Sequence, residues 1–203
     1  MDQLPTKEKI VLAAMKLFHD QGYHATGMAD ILRSAEVGSG SFYYFFESKE
    51  AVLLAVLDKY VELLHPAVMQ PAFTLSEDPI ERIFVVLDRY RQAIIQSDFK
   101  FGCPIGNLAL EVAADKPIVA DKIALNFSNW CKAIEGCLAA AKDRLPADLN
   151  LHAMSKFILT VMEGGVMQAR AHKSIAPYDI SVSQLRDYFN RLTQNDKPIS
   201  KRS

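Results

Sequence analysis

Hydrophobic positions along this chain recur at helical spacing, and a sustained period of two, the mark of a half-buried strand, does not occur. Ile10, Ala13, Ala14, Leu17 and Phe18 follow the i, i+3, i+4, i+7, i+8 pattern of one buried helix face. Met28, Ile31, Leu32 and Ala35 repeat it over a shorter span. A long helix is predicted from about Lys49 to about Leu64, interrupted near Pro66 and stopped by Pro71. The next opens at Pro79 after Ser76-Glu77-Asp78, a good first-turn composition, with Ile80, Ile83, Phe84, Leu87 and Tyr90 as its stripe. Phe99 to Gly102 reads as a loop, and Pro104 suits a helix start. Pro117 opens a helix reaching to about Leu145, with Ile123, Phe127, Trp130, Ile134 and Leu138 on one side, and Pro146 ends it. Two helices follow, roughly His152 to His172 and roughly Ser181 to Leu192, and a polar tail is expected to fray after Asn195. The fold class is therefore all-α. No asparagine–glycine or aspartate–glycine hairpin turn, repeat or flexible linker breaks the pattern.

Residues 6 to 46 hold two amphipathic helices, a short connection and a third short helix. The connection, Ala35-Glu36-Val37-Gly38-Ser39-Gly40-Ser41, has the glycines and serines of a tight turn followed by a capped helix start. The helix it opens, Ser41-Phe42-Tyr43-Tyr44-Phe45-Phe46, cannot bury four consecutive aromatics. Phe42 and Phe46 are four apart and share the inward face, so Tyr43 and Tyr44 point elsewhere. An exposed helix start lined with serine and tyrosine hydroxyls suits phosphate and base edges. In a helix-turn-helix, this second helix lies in the major groove.

The first helix, through Ile10, Ala13, Ala14, Leu17, Phe18, Gly22, Tyr23 and Thr26, resembles that of TetR-family repressors. The following segment resembles their helix-turn-helix through Ile31, Ala35, Val37, Gly40, Ser41, Phe42, Tyr43, Phe46, Ser48-Lys49-Glu50 and Leu53. The match spans about residues 8 to 55 without a gap; the remainder agrees in helix number and order. The resemblance implies an N-terminal three-helix helix-turn-helix domain, residues 1–50, and a larger C-terminal helical ligand-binding and dimerisation domain, residues 51–203, sharing the helix after Lys49. It implies a homodimeric repressor that leaves operator DNA when a small-molecule effector meets the C-terminal domain. Thr26 would cap the first helix of the motif and touch phosphate. Ser39, Gly40 and Ser41 would sit at the start of the recognition helix, Tyr43 and Tyr44 would contact phosphates and base edges, and Lys49 would bind phosphate. Three positions depart from the family: Glu36 stands where the turn carries glycine, Gly38-Ser39 where lysine or arginine is usual, and Phe45 where histidine is common. If the turn needs φ > 0, Glu36 costs about 1 kcal/mol. Few polar side chains remain to read bases.

Charge adds a restraint. Five basic against seven acidic side chains leave residues 1–50 two charges negative, so nonspecific affinity for DNA is expected to be modest. The 203 residues carry a net charge of −1 and are half hydrophobic, enough for a sizeable core. The polar N-terminus lacks the apolar segment of a signal peptide, no apolar run approaches the ~20 residues of a membrane span, and three cysteines lack metal-ligand spacing. A cytoplasmic protein with reduced thiols, no metal and no cofactor is expected.

In the C-terminal half, Met154, Phe157, Ile158, Val161, Met162 and Gly165 form an apolar stripe, Gly164-Gly165 permits close helix approach, and Val182, Leu185, Phe189 and Leu192 form a narrower seam. The resemblance suggests a four-helix dimer interface from Phe157, Ile158, Val161, Gly164, Gly165, Val182, Leu185, Phe189 and Leu192. Packing of these faces within one chain is the alternative. The family's sensor pocket lies among the central helices, where Phe101, Cys103, Phe127, Trp130 and Met162 are candidates, with plain core as the alternative. Cys103 follows Phe101-Gly102 and precedes Pro104 at a helix start, a place that favours a thiolate. Its Gly-Cys resembles electrophile-sensing members of the family; an inert cysteine is the alternative.

An enzyme is disfavoured, because the five histidines lie far apart and no nucleophile elbow, phosphate loop or metal-ligand motif occurs. A helical protein-interaction module without DNA function remains the alternative, and activation stands beside repression.

Overall fold

The computed structural model describes residues 4–194, which are helical throughout apart from turns and short connections. The tail expected to fray lies outside the described residues. Among the described residues, ten α-helices follow in order: α1 (Thr6–Gln21), α2 (Met28–Ala35), α3 (Ser39–Phe45), α4 (Lys49–Leu63), α5 (Gln70–Leu75), α6 (Pro79–Gln96), α7 (Pro104–Val112), α8 (Pro117–Ala140), α9 (Leu151–His172) and α10 (Ala176–Gln194). The all-α expectation holds.

The helix after Lys49 does not stop at Pro71. A π-helical segment, Leu64–Met69, joins α4 to α5, so helical structure continues to Leu75. A proline ring inside an α-helix clashes with the carbonyl four residues back, and a wider turn at Pro66 relieves it. Pro71 sits in the first turn of α5, where a missing N–H costs nothing. For the same reason α10 starts at Ala176 rather than near Ser181, with Pro177 in its first turn. The helix from Pro117 ends at Ala140, and a 3-10 turn, Lys142–Arg144, completes the run towards Pro146.

The chain divides into two compact units. One runs to His65 and takes in Phe101–Ser128; the other takes in Pro66–Lys100 and runs on from Asn129. The first is built on Ile10, Ala14, Phe18, Ile31, Phe42, Leu53 and Leu57, joined by Leu108, Val112 and Ile123 from α7 and α8. Asn126, buried on α8, donates to the Leu57 carbonyl at 3.1 Å and the Lys122 carbonyl at 3.0 Å;. The second unit packs α6, α9 and α10 about Ile83, Leu87, Ile158, Met162 and Phe189. At its centre the buried Tyr178 hydroxyl donates to the Leu87 carbonyl at 2.7 Å, and burial pushes that phenol well above its ordinary range. No helix among the described residues is long and apolar enough to cross a membrane.

Candidate nucleic-acid interface

The connection between α2 and α3 turns on Glu36, which takes left-handed backbone angles (φ 56°, ψ 44°) without being glycine. The Val37 N–H reaches back to the Leu32 carbonyl at 3.1 Å, closing the end of α2, and Gly38 precedes α3 in extended conformation. On α3, Phe42 is fully buried and Phe46, just beyond its end, is 5% exposed, with their rings 5.9 Å apart. This inward anchor turns the remaining side chains outward. Tyr43 is 62% exposed, Tyr44 82% and Phe45 37%, and Ser39, Gly40 and Ser41 are exposed beside them. Ser48 then caps α4, its hydroxyl accepting the Ala51 N–H at 3.1 Å.

Thr26 does not cap α2. Gly27 holds that position, and its N–H goes to the Asp30 carboxylate at 3.1 Å. Thr26 is fully buried, and its hydroxyl donates to the Gly22 carbonyl at 2.6 Å. One residue of offset turns an outward cap into an inward clamp on the α1–α2 turn. Lys49 also works on this turn: its ammonium donates to the Tyr23 and Thr26 carbonyls, both at 2.9 Å, and lies 4.2 Å from the centre of the Tyr23 ring. Burial holds that ammonium below the ordinary lysine range, with Glu111 opposing the shift and Lys116 adding to it.

Sequence reasoning missed Glu111. From α7 its carboxylate accepts the N–H groups of Tyr23 at 2.9 Å and His24 at 2.6 Å. Gly22 (φ 88°) allows the approach: a Cβ there would stand 3.0 Å from the Glu111 carboxylate. Lys116 pairs with Glu50 nearby, and burial raises the Tyr23 phenol above its ordinary value. The α1–α2 turn is thus held by a carboxylate on its N–H groups and an ammonium on its carbonyls.

Of the sensor candidates, Phe101, Cys103 and Phe127 belong to the first unit, Trp130 and Met162 to the second. Cys103 stands at the N-cap of α7, is 7% exposed, and its sulfur accepts the Gly106 N–H at 3.5 Å. Trp130 and Met162 are buried, and the Trp130 indole N–H has no acceptor among the described residues.

Of the interface candidates, Ile158, Gly165, Leu185 and Phe189 are taken up inside the chain. Phe189 meets Phe84 edge-on at 5.8 Å, and Gly165 lies against Tyr178. Phe157 is 47% exposed, Val161, Gly164, Val182 and Leu192 are half-buried, and Ile180 and Tyr188, absent from the sequence reading, are 64% and 41% exposed. Phe157, Val161, Ile180 and Tyr188 line an apolar groove of about 770 Å³ between α9 and α10.

Residues 10–56 match the family of bacterial regulatory proteins, tetR family, and residues 79–185 match the tetracyclin repressor-like C-terminal domain. An HTH-type transcriptional regulator in the lacX 3′ region of Lactococcus lactis subsp. lactis is 30% identical over 192 residues, covering 92% of this chain and 94% of that protein. The HTH-type transcriptional repressor DhaR of Mycobacterium sp. (strain GP1) is 27% identical over 181 residues, covering 88% and 89%. In fold, the reduced form of E. coli NemR superposes with a TM-score of 0.78 at 21% identity, over 90% of this chain and 96% of that one. With a family match over its C-terminal half, a relative similar along almost its whole length and a helix-turn-helix at its N-terminus, this chain belongs to the TetR family of bacterial regulatory proteins and is a DNA-binding regulator rather than an enzyme.

Proposed function

We propose that this chain is a homodimeric repressor that occupies operator DNA through residues 1–50 and leaves it when a small molecule acts on residues 51–203. The observation that carries the reading is the outward face of α3. Phe42 and Phe46 hold the helix to its core while Tyr43 and Tyr44 are exposed to solvent. Ser39, Gly40, Ser41, Tyr43 and Tyr44 meet the DNA directly. Thr26 and Lys49 act by fixing the α1–α2 turn, and Lys49, with two of its three protons committed to carbonyls, keeps one for phosphate. Repression rather than activation has the support that the similar DhaR is a repressor.

Two half-sites one helical turn apart, about 34 Å, require two copies of α3. The second copy docks on the exposed face of α9 and α10 about Phe157, Val161, Gly164, Ile180 and Tyr188, with Val182 and Leu192 at its margin.

Candidates for effector contact are Phe101, Cys103 and Phe127 in the first unit and, taken by themselves, Trp130 and Met162 in the second. A buried indole N–H without an acceptor costs about 1–3 kcal/mol, which an effector carrying a hydrogen-bond acceptor recovers at Trp130. An electrophile adding to the Cys103 sulfur is the alternative signal: it would remove the sulfur's bond to the Gly106 N–H at the start of α7. Cys103→Ser then loses its response to electrophiles; an unchanged response excludes this signal.

The test of the whole reading is retention of the DNA upstream of the protein's own gene against excess random DNA at near-physiological salt. Specific retention lost in Tyr43→Ala and Tyr44→Ala is expected. Equal retention of both DNAs, together with no consensus from random-site selection, overturns it.

A further inference from the structure

We propose that this chain reads its operator mainly through thymine methyl groups, which the Tyr44–Phe45 pair of α3 takes up in the major groove. The proposal rests on the operator-binding reading and gives it a chemistry of recognition.

Helical spacing puts Gly40, Ser41, Tyr44 and Phe45 on one face of α3, opposite the buried Phe42. Neither that face nor the rest of α3 carries arginine, lysine, asparagine, glutamine, aspartate or glutamate. The bidentate pairings that single out guanine and adenine in the major groove are therefore unavailable from this helix. The hydroxyls of Ser39, Ser41, Tyr43 and Tyr44 can donate or accept, so they do not distinguish a donor edge from an acceptor edge. What remains is carbon surface, and the thymine C5-methyl is the apolar group that a major-groove base edge presents.

The aromatic pair has the form this requires. Tyr44 and Phe45 meet edge-on, with ring centres 4.8 Å apart and planes at 88°, so each ring braces the other. Both are exposed, and the core beneath them is already filled by Phe42 and Phe46. Phe45 has no polar atom with which to hold phosphate, so its exposed ring can contribute only apolar contact. Gly40, one turn before Tyr44, adds to this. A Cβ there would meet nothing within 4 Å, and its φ is not in the left-handed range, so packing within the chain does not demand glycine. It leaves open space on the same face, one turn before Tyr44, where a base edge can approach the helix.

The experiment is a pair of random-site selections with the full-length protein, one from duplexes containing thymine and one from duplexes made with deoxyuridine in its place. Deoxyuridine keeps every hydrogen-bonding group and lacks only the methyl. The thymine library is expected to yield a consensus rich in A·T pairs at the contacted steps. Replacing a contacted thymine by deoxyuridine in that consensus weakens wild-type binding about fourfold for each methyl buried. Phe45→Ala and Tyr44→Ala bring the thymine-to-uracil ratio close to one, and Phe45→Leu, which keeps carbon surface, retains a preference. A consensus bound equally well with uracil, or one dominated by G·C at the contacted steps, overturns the proposal while leaving operator binding intact. No enrichment in the thymine library overturns operator binding and the proposal together. The comparison of thymine with uracil uses the wild-type protein, so it decides the matter even if a variant folds poorly.

Discussion

Glu111 and His24 are joined twice: the Glu111 carboxylate accepts the His24 N–H at 2.6 Å, and the His24 ring nitrogen Nε2 lies 3.1 Å from the Glu111 carbonyl oxygen. A carbonyl only accepts, so the second bond places a proton on Nε2. The same carboxylate takes the Tyr23 N–H, which makes α7 the fastening of the α1–α2 turn. Glu111→Ala leaves two backbone N–H groups without this acceptor and is expected to cost about 2 kcal/mol in urea unfolding. Glu111→Gln keeps one acceptor oxygen and should lose less. Amide exchange should quicken at Tyr23 and His24 in the alanine variant. Unchanged exchange there would show that the turn holds without α7.

Glu36 pays for its left-handed backbone in strain. At φ 56° its Cβ crowds the following carbonyl, and no such contact exists for glycine. The side chain is exposed, so its removal takes no packing with it. Glu36→Gly is expected to raise stability by about 1 kcal/mol, read as a higher urea midpoint with an unchanged slope. A lower midpoint would mean that the carboxylate makes a contribution larger than the strain.

These two sites differ in how far the sequence discloses them. Strain at Glu36 could be anticipated because the turn is local: a helix end, two glycines and two serines within seven residues limit its geometry. The inward Phe42 and Phe46 and the outward Tyr43 and Tyr44 were legible for the same reason, since a short helix has only one face for its core. Glu111 was not, because it lies 88 residues from Tyr23 and nothing in the pattern of α7 marks one half-exposed carboxylate as a backbone acceptor. Thr26 was misplaced by one residue, the ordinary uncertainty of a helix start, yet that step reverses its direction. The interface candidates fall into two settings that periodicity does not separate: Gly165 and Phe189 are buried within the chain, whereas Phe157 is exposed.

Adjacent glycines on α9 should respond in opposite ways. A Cβ on Gly165 would come within 2.9 Å of Tyr178 Cδ2, and that ring is buried with its hydroxyl tied to Leu87, so Gly165→Ala should destabilise the chain by about 1–3 kcal/mol. A Cβ on Gly164 would meet nothing within 4 Å in its own chain. Glycine inside a helix costs about 1 kcal/mol against alanine, so intrachain packing alone predicts that Gly164→Ala is stabilising. In the proposed dimer the same methyl obstructs a facing helix. Sedimentation should then show a dimer dissociation constant raised at least about tenfold, equivalent to about 1.4 kcal/mol, with helicity undiminished. A dimer as tight as wild type would move the interface away from this part of α9.

Asp78 supplies a pH-dependent term whose sign follows from its bonds. Arg144 grips both carboxylate oxygens, at 2.8 and 2.9 Å, and with help from the N–H groups of Ile80 and Glu81 it holds the carboxyl at about 2, against an ordinary value of 3.8. The lowered value means that the charged form is favoured by folding. The contribution is therefore complete above the ordinary value and is lost as pH falls from about 4 towards 2. The Asp78 side chain is 38% exposed, so solvent screening reduces the pair to about 1 kcal/mol. Asp78→Asn keeps an oxygen to cap α6 and removes the charge. It should be about 1 kcal/mol less stable than wild type at pH 7 in moderate salt, with the gap shrinking as pH is lowered from 4 to 3. A gap that stays constant over that range would assign the loss to altered capping geometry rather than to the ion pair.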